Sequence, residues 1–182
     1  MITKRAMLLG LGGLICVSGG RPARAALPPI AMERHERAMR LAIEQGRKNP
    51  YYPYGAVMTE AATGTVVAEG VNEARSNPTL HGEIDCMNDY VRRSGNKDWE
   101  TKILYTTCEP CPMCMTALQW AHIGGVVFAS SAFSPALRSS VGDPINISAQ
   151  DVVNATPFHK PMLLGGVLAS ETDAMFTNRK RN

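Results

Sequence analysis

The chain has 182 residues, of which 45% are hydrophobic and 19% are charged. This length fits one domain with a sizeable core, and the composition is ordinary for a globular protein. Four of the 19 basic residues, and none of the 16 acidic ones, lie in the first 25 positions. The rest of the chain is therefore near neutral, which argues against a surface built to grip the phosphates of a nucleic acid.

The N-terminus predicts a targeting segment. The basic pair Lys4-Arg5 precedes an apolar stretch at 6–17 that is too short to span a bilayer, and small residues surround a cleavage point at Ala23-Arg24-Ala25. We therefore expect a signal peptide at 1–25 and a single domain at 26–182 without a stable membrane span. Export to the periplasm or the medium follows, and the basic pair also resembles a twin-arginine signal. An uncleaved N-terminal anchor is the alternative.

The hydrophobic pattern predicts alternating helices and strands. Helices are expected at 32–47, 81–93 and 110–122, and strands at 54–59, 65–68, 103–106 and 126–129. Beyond Ser130 the pattern weakens, and we expect a short strand at 145–147, a helix capped by Ser148 and a last helical turn at 172–176. This alternation indicates an α/β layer fold.

A split set of metal-binding residues lies at two of the predicted helix starts. His81-Gly82-Glu83 is followed about thirty residues later by Pro110-Cys111-Pro112-Met113-Cys114. One imidazole and two thiolates leave a fourth zinc position open, which is the ligand count of a catalytic rather than a structural zinc site. Glu83 lies close enough to exchange protons at that position without ligating the metal. The set suits hydrolytic removal of an amine from a ring carbon.

The remaining cysteines carry less information. Cys16 lies in the predicted signal peptide, which leaves Cys86 and Cys108 once Cys111 and Cys114 are assigned to zinc. They are either buried small residues or, in an oxidising compartment, an oxidised pair. The sequence does not decide between the two.

The motifs resemble those of the cytidine deaminase-like superfamily, and within it the branch of guanine deaminases, nucleoside deaminases and tRNA adenosine deaminases. The residues that carry the resemblance are Pro53-Tyr54-Gly55-Ala56-Val57, Asn72, Asn77 to Ile84, Thr107 to Cys114 and Val126-Val127-Phe128.

The resemblance implies a three-layer α/β/α sandwich around a roughly five-stranded mixed sheet, usually as a homodimer. It also implies one Zn²⁺ per chain on His81, Cys111 and Cys114, with Glu83 as proton shuttle. Asn72 is then expected to hydrogen-bond the base, although it can equally be a turn residue. Tyr54 either walls the pocket or packs in the core. By ordinary chemistry Glu109 is expected to order its turn, and His122 to pack near a helix end rather than to ligate.

The substrate signals conflict. His81-Gly82-Glu83 is similar to the fungal cytosine deaminases, whereas Cys108-Glu109-Pro110 is similar to guanine deaminases. The favoured hypothesis is a zinc-dependent deaminase of a free nucleobase or nucleoside of guanine or cytosine type. The alternatives are a tRNA adenosine deaminase, which export and the missing basic surface oppose, and a non-catalytic deaminase-fold binding module, which the intact Glu83 opposes. A secreted deaminase of another organism's nucleic acid or nucleotides is a fourth hypothesis.

Overall fold

The computed structural model describes residue 27 and residues 29–181. The predicted signal peptide at 1–25, including Cys16, lies outside the described residues. Among the residues that are described, no helix combines the length and the apolar character needed to cross a bilayer.

Within the described residues, five strands form one mixed sheet. They are β1 (Gly55–Glu60), β2 (Val66–Val71), β3 (Lys102–Cys108), β4 (Gly125–Ser130) and β5 (Met162–Leu164). Their spatial order is β2-β1-β3-β4-β5, with β1 antiparallel to both of its neighbours and β3, β4 and β5 parallel to one another. Every residue of β3 is buried, as expected for a central strand covered on both faces.

The part of the chain that the structure describes also contains six α-helices. They are α1 (Met32–Arg47), α2 (Gly82–Ser94), α3 (Pro112–Trp120), α4 (Pro135–Ser140), α5 (Ala149–Ala155) and α6 (Ala169–Thr177), with a 3₁₀ turn at Trp99–Thr101. One apolar cluster joins α1 and part of α6 to the first face, and a second joins α2, α3 and α5 to the other. The expected three-layer α/β/α sandwich is confirmed.

A close backbone approach fixes α2 against the sheet. A Cβ atom added at Gly70 of β2 would lie 2.3 Å from both the amide nitrogen of Cys86 and the carbonyl oxygen of Gly82. Those are main-chain atoms that no rotamer change can move, so only glycine lets α2 lie directly on β2. The start of α2, where His81 and Glu83 lie, is thereby held at one edge of the sheet.

The region after Ser130 departs most from the sequence-based expectation. Residues 145–147 form no strand, and the fifth strand is Met162–Leu164 instead. Ile145 and Ile147 are 65% and 45% exposed because they line a surface cavity rather than pair with the sheet. The pattern also did not predict α4, and α6 is longer than the single turn expected at 172–176.

The start of α3 also differs from the sequence-based prediction, and α2 buries an acidic residue. The third helix begins at Pro112 rather than at Pro110, because Cys111 keeps an extended backbone (φ −61°, ψ 164°) and serves as its N-cap. In α2, Val91 is 43% exposed, whereas Asp89 is buried. The Asp89 carboxylate accepts a hydrogen bond from the amide of Glu69, at 3.0 Å, and so ties α2 to β2.

Candidate metal centre and active site

Both halves of the metal motif lie immediately before a helix. His81 is the N-cap of α2 and Cys111 is the N-cap of α3, each with an extended backbone. Cys114 lies in the first turn of α3 and is completely buried. Because helix N-termini carry a partial positive charge, this placement favours the thiolate form at both cysteines.

The three predicted donors come together in space. The Sγ atoms of Cys111 and Cys114 each lie 3.6 Å from Nδ1 of His81, and the three donor atoms all lie within 4.8 Å of one another. Zinc–sulfur and zinc–nitrogen bonds of about 2.3 and 2.0–2.1 Å in a tetrahedral site would put sulfur and nitrogen about 3.6 Å apart. The donors therefore fit zinc, with Nδ1 of His81 facing the metal position.

The two thiols hold their protons unequally. A hydrogen bond from the thiol of Cys114, and then one from His81, lower the pKa of Cys111 to about 4. The same contact raises the pKa of Cys114, and the contact with Cys111 raises the pKa of His81. Cys111 is thus a thiolate at neutral pH, which is the form that binds metal.

Glu83 lies beside this group in the first turn of α2. Its side chain is 4% exposed, and Oε1 accepts a hydrogen bond from the hydroxyl of Thr106 at 3.1 Å. Burial raises the pKa of its carboxyl above the ordinary value. A Cβ at the preceding Gly82 would lie 2.7 Å from the carbonyl oxygen of Tyr54, so glycine lets these two segments meet directly.

A cavity of about 340 Å³ opens above the donor group. Its floor includes His81, Glu83 and Cys111. The walls come from four parts of the chain: Tyr52 and Tyr54; Asn72 and Ala74; Cys108, Glu109, Pro110 and Pro112; and Ala132, Leu137, Val141, Gly142, Asp143, Pro144, Ile145 and Ile147. The volume lies in the range of ordinary small-molecule sites.

Asn72 both orders its own loop and faces this cavity. Its Oδ1 accepts a hydrogen bond from the amide of Ala74 at 2.9 Å, which is the turn role that the sequence allowed. Its main chain is also held, because its amide donates to the carbonyl of Tyr54 at 2.9 Å and its carbonyl accepts from the Asn49 side chain at 2.7 Å. The side chain is therefore a fixed, buried part of the wall.

Tyr54 likewise combines the two roles considered for it. Its ring lies against Phe176 of α6, with centroids 4.9 Å apart, and also lines the cavity. Burial raises the pKa of its hydroxyl, so the group stays protonated and can donate a hydrogen bond.

The other residues singled out in the sequence pack in the core or order loops. Cys86 and Cys108 are buried free thiols and do not pair. The Glu109 carboxylate accepts hydrogen bonds from the hydroxyl of Ser131 and from the amides of Ala132 and Ala149, at 2.9–3.2 Å, and orders its turn as expected. The ring of His122 packs near the rings of Phe158 and His159.

Sequence reasoning missed most of the wall that follows β4. Leu137, Val141, Pro144, Ile145 and Ile147 lie there, and none belongs to a motif. The one available signal is the pair Ile145 and Ile147 in a segment otherwise rich in turn residues. Their alternation predicts a strand rather than a cavity wall.

The comparisons with known proteins agree with this geometry. The model of the family described as "Cytidine and deoxycytidylate deaminase zinc-binding region" matches residues 32–130, which is more than half of the chain. The chain belongs to this family of zinc-binding deaminases. It is a hydrolytic deaminase whose cofactor is zinc.

Two curated relatives act on different kinds of substrate. The guanine deaminase of Bacillus subtilis is 36% identical over 97 residues, which are 52% of this chain and 61% of that enzyme, so the match spans less than two thirds of its length. The tRNA-specific adenosine deaminase of Haemophilus influenzae is 29% identical over 147 residues, 78% of this chain and 80% of that enzyme.

Solved structures share the fold. Guanine deaminase from Nitrosomonas europaea superimposes with a TM-score of 0.63 at 19% identity, covering 98% of this chain and 99% of that one. A structure in complex with 8-azaguanine gives a TM-score of 0.68 at 20% identity, covering 79% and 84% of the two chains.

Zinc binding can be tested through the two motif cysteines. Purified protein should contain about one zinc per chain, and Cys111→Ser or Cys114→Ser should lose most of it, since a hydroxyl is a far weaker zinc ligand than a thiolate. The control is Cys86→Ala, which alters a buried thiol outside the group and should keep its zinc. Metal analysis after dialysis measures all four proteins. Full zinc in both serine variants would contradict the assignment.

Proposed function

We propose that the protein deaminates a free nucleobase or nucleoside of guanine or cytosine type. The observation that carries the proposal is the burial of Glu83 beside the His81–Cys111–Cys114 group, at the floor of a cavity of about 340 Å³. This arrangement places a carboxyl of raised pKa where a ring carbon that bears an amine can enter.

The chemistry divides between the metal and Glu83. Zinc, when bound to His81, Cys111 and Cys114, supplies a hydroxide nucleophile at neutral pH. Glu83 accepts the proton released when water becomes that nucleophile, and it returns the proton to the departing amine. The ring carbon loses its bond to nitrogen and gains one to oxygen, so one water is consumed and one ammonia is released. The hydroxyl of Thr106 orients the Glu83 carboxyl for both transfers.

The charge of the cavity favours an uncharged substrate. Besides the zinc-binding His81 and Cys111, the acidic residues Glu83, Glu109 and Asp143 line it, and its described lining contains no lysine or arginine. A phosphate would meet these carboxylates and no basic side chain in the described lining, at an electrostatic cost. Tyr52, Tyr54 and the apolar wall beyond β4 suit the flat faces of a base instead.

A tRNA adenosine deaminase is the second candidate. The similarity to the Haemophilus influenzae enzyme supports it, because that alignment extends over 78% of this chain. The lack of lysine and arginine in the described lining of the cavity opposes it, since RNA recognition needs contacts to phosphate.

Ammonia release tests the function directly. The chain from residue 26 onward should release ammonia from one or a few of guanine, cytosine, adenine and their nucleosides. Glu83→Ala and Glu83→Gln should keep zinc and lose about 10²- to 10⁴-fold in kcat, because the proton transfers lose their carrier. A tRNA anticodon stem-loop completes the panel. Activity on the stem-loop alone would replace the first candidate by the second, and full activity in the Glu83 variants would remove the role of that residue.

We also propose that Asn72 hydrogen-bonds the base from the wall of the cavity. Its carboxamide is buried and is oriented through Oδ1, while its amide nitrogen remains for a ring substituent. Asn72→Asp should preserve the bond to Ala74 but replace the donor by a charge, so KM should rise more than about tenfold with zinc content unchanged. The control Asn77→Asp alters another asparagine that bonds its own loop and does not line the cavity. Equal KM values in both variants would exclude the contact.

We propose in addition that the protein is exported and that it forms a homodimer. The basic and apolar start of the chain supports export through a cleaved signal at 1–25 and a single mature domain at 26–182. Mass analysis of protein from the periplasm would show cleavage near Ala26, whereas intact protein in the cytosol would contradict it. The family resemblance supports a homodimer, which light scattering would reveal as twice the monomer mass.

A further inference from the structure

Arg179 connects two parts of the chain that are distant in sequence. It follows α6, and its guanidinium donates hydrogen bonds to main-chain carbonyl oxygens. Nη1 lies 2.9 Å from the oxygen of Tyr51, while Nε and Nη2 lie 3.1 and 2.5 Å from the oxygen of Ser140. The next residue adds a further tie, because the amide of Lys180 donates to the carbonyl of Pro50 at 2.8 Å.

The two carbonyls belong to separate segments that each lead into the lining of the cavity. Tyr51 precedes Tyr52 and Tyr54, which line it, and the guanidinium lies 5.6 Å from the ring centroid of Tyr52. Ser140 is the last residue of α4 and leads into residues 141–147, most of which line the cavity as well. The planar guanidinium therefore joins the two wall segments without itself lining the cavity.

The wall at 141–147 depends on anchors at its ends. It is irregular in structure, with Gly142 in the left-handed region (φ 108°) and a turn bond between Ile147 and Ile145. At the far end, Glu109 accepts from the amide of Ala149, and a Ser148–Asp151 capping box starts α5. At the near end, Ser140 is a helix-terminal residue whose carbonyl has no partner within the helix, and Arg179 supplies that partner.

We propose that Arg179 is a positioning residue for substrate binding, which sets the spacing between the Tyr52–Tyr54 wall and the 141–147 wall. The inference rests on the proposed function, in which this cavity receives the base. Arg179 belongs to neither the zinc group nor the lining of the cavity. Its loss should therefore weaken substrate binding while the chemistry at the floor continues.

The shape of the guanidinium allows the bridging role of Arg179 to be distinguished from an effect of its positive charge alone. Arginine presents several donors in one rigid plane, whereas lysine is a single point charge on a flexible stem. Arg179→Lys should therefore behave like Arg179→Met, because one ammonium cannot serve both carbonyls in the same way. Arg181→Met provides the control, since it removes an exposed cation two residues away.

The experiment compares these three variants with the unaltered protein on its best substrate. We expect KM to rise about tenfold or more in both Arg179 variants, with kcat within about twofold, zinc content unchanged and Arg181→Met unaffected. Hydrogen exchange should accelerate at residues 51–54 and 140–147 and remain unchanged in α2 and α3. If Arg179→Met does not fold, the KM, kcat and zinc content of Arg179→Lys test the inference without it.

Several outcomes would overturn the inference. These are an unchanged KM, full function in Arg179→Lys, or a parallel fall in kcat, zinc content and thermal stability, which would indicate a general structural role. If the unaltered protein deaminates nothing, the proposed function fails by itself. Hydrogen exchange then still tests the bridge, and equal exchange at both walls in all proteins would refute it.

Discussion

The requirement that three donor atoms from two separate helices meet at one point governs this structure. His81 and the cysteine pair are thirty residues apart, yet their donor atoms lie within a single coordination sphere. Such precision needs rigid supports, and both supports are helix starts held to the sheet. Gly70 lets α2 lie on β2 at backbone contact, and the buried strand β3 leads directly to the turn before α3. The zinc group, the position of Glu83 and the floor of the cavity all follow from these two attachments.

Glu83 and Glu109 are two buried carboxylates near the metal group whose hydrogen-bond partners suit them to different roles. Glu109 accepts three hydrogen bonds, two of them from main-chain amides, and its charge is fully used in holding loops together. Glu83 accepts one from Thr106, and burial raises the pKa of its carboxyl. A desolvated carboxyl of raised pKa beside the metal group readily takes up a proton and releases it. The two residues share a side-chain type, but Glu109 orders loops whereas Glu83 has the environment of an acid–base group.

The predictable part of the protein and the unpredictable part divide near Ser130. The floor of the site could be derived because its information is local: the types of His81, Cys111 and Cys114, their spacing, and their position at helix starts are all written in the sequence. The strands up to β4 and the α/β class also follow from local periodicity, whereas the three-layer order was implied by the family resemblance. The upper wall has no such signature, since Ile145 and Ile147 alternate like strand residues and are held in an irregular loop instead. The anchor at the start of this loop is long-range, because Arg179 donates to the carbonyl of Ser140 across 39 positions of chain. A main-chain acceptor can belong to any residue type, so the sequence does not reveal this contact.

The position of Arg179 has a consequence for the order in which the site is assembled during synthesis. The donors of the metal group are all present once the chain has been made as far as Cys114, whereas Arg179 is added 65 positions later. The floor of the cavity can therefore form on a nascent chain before the hydrogen bonds that join its two wall segments.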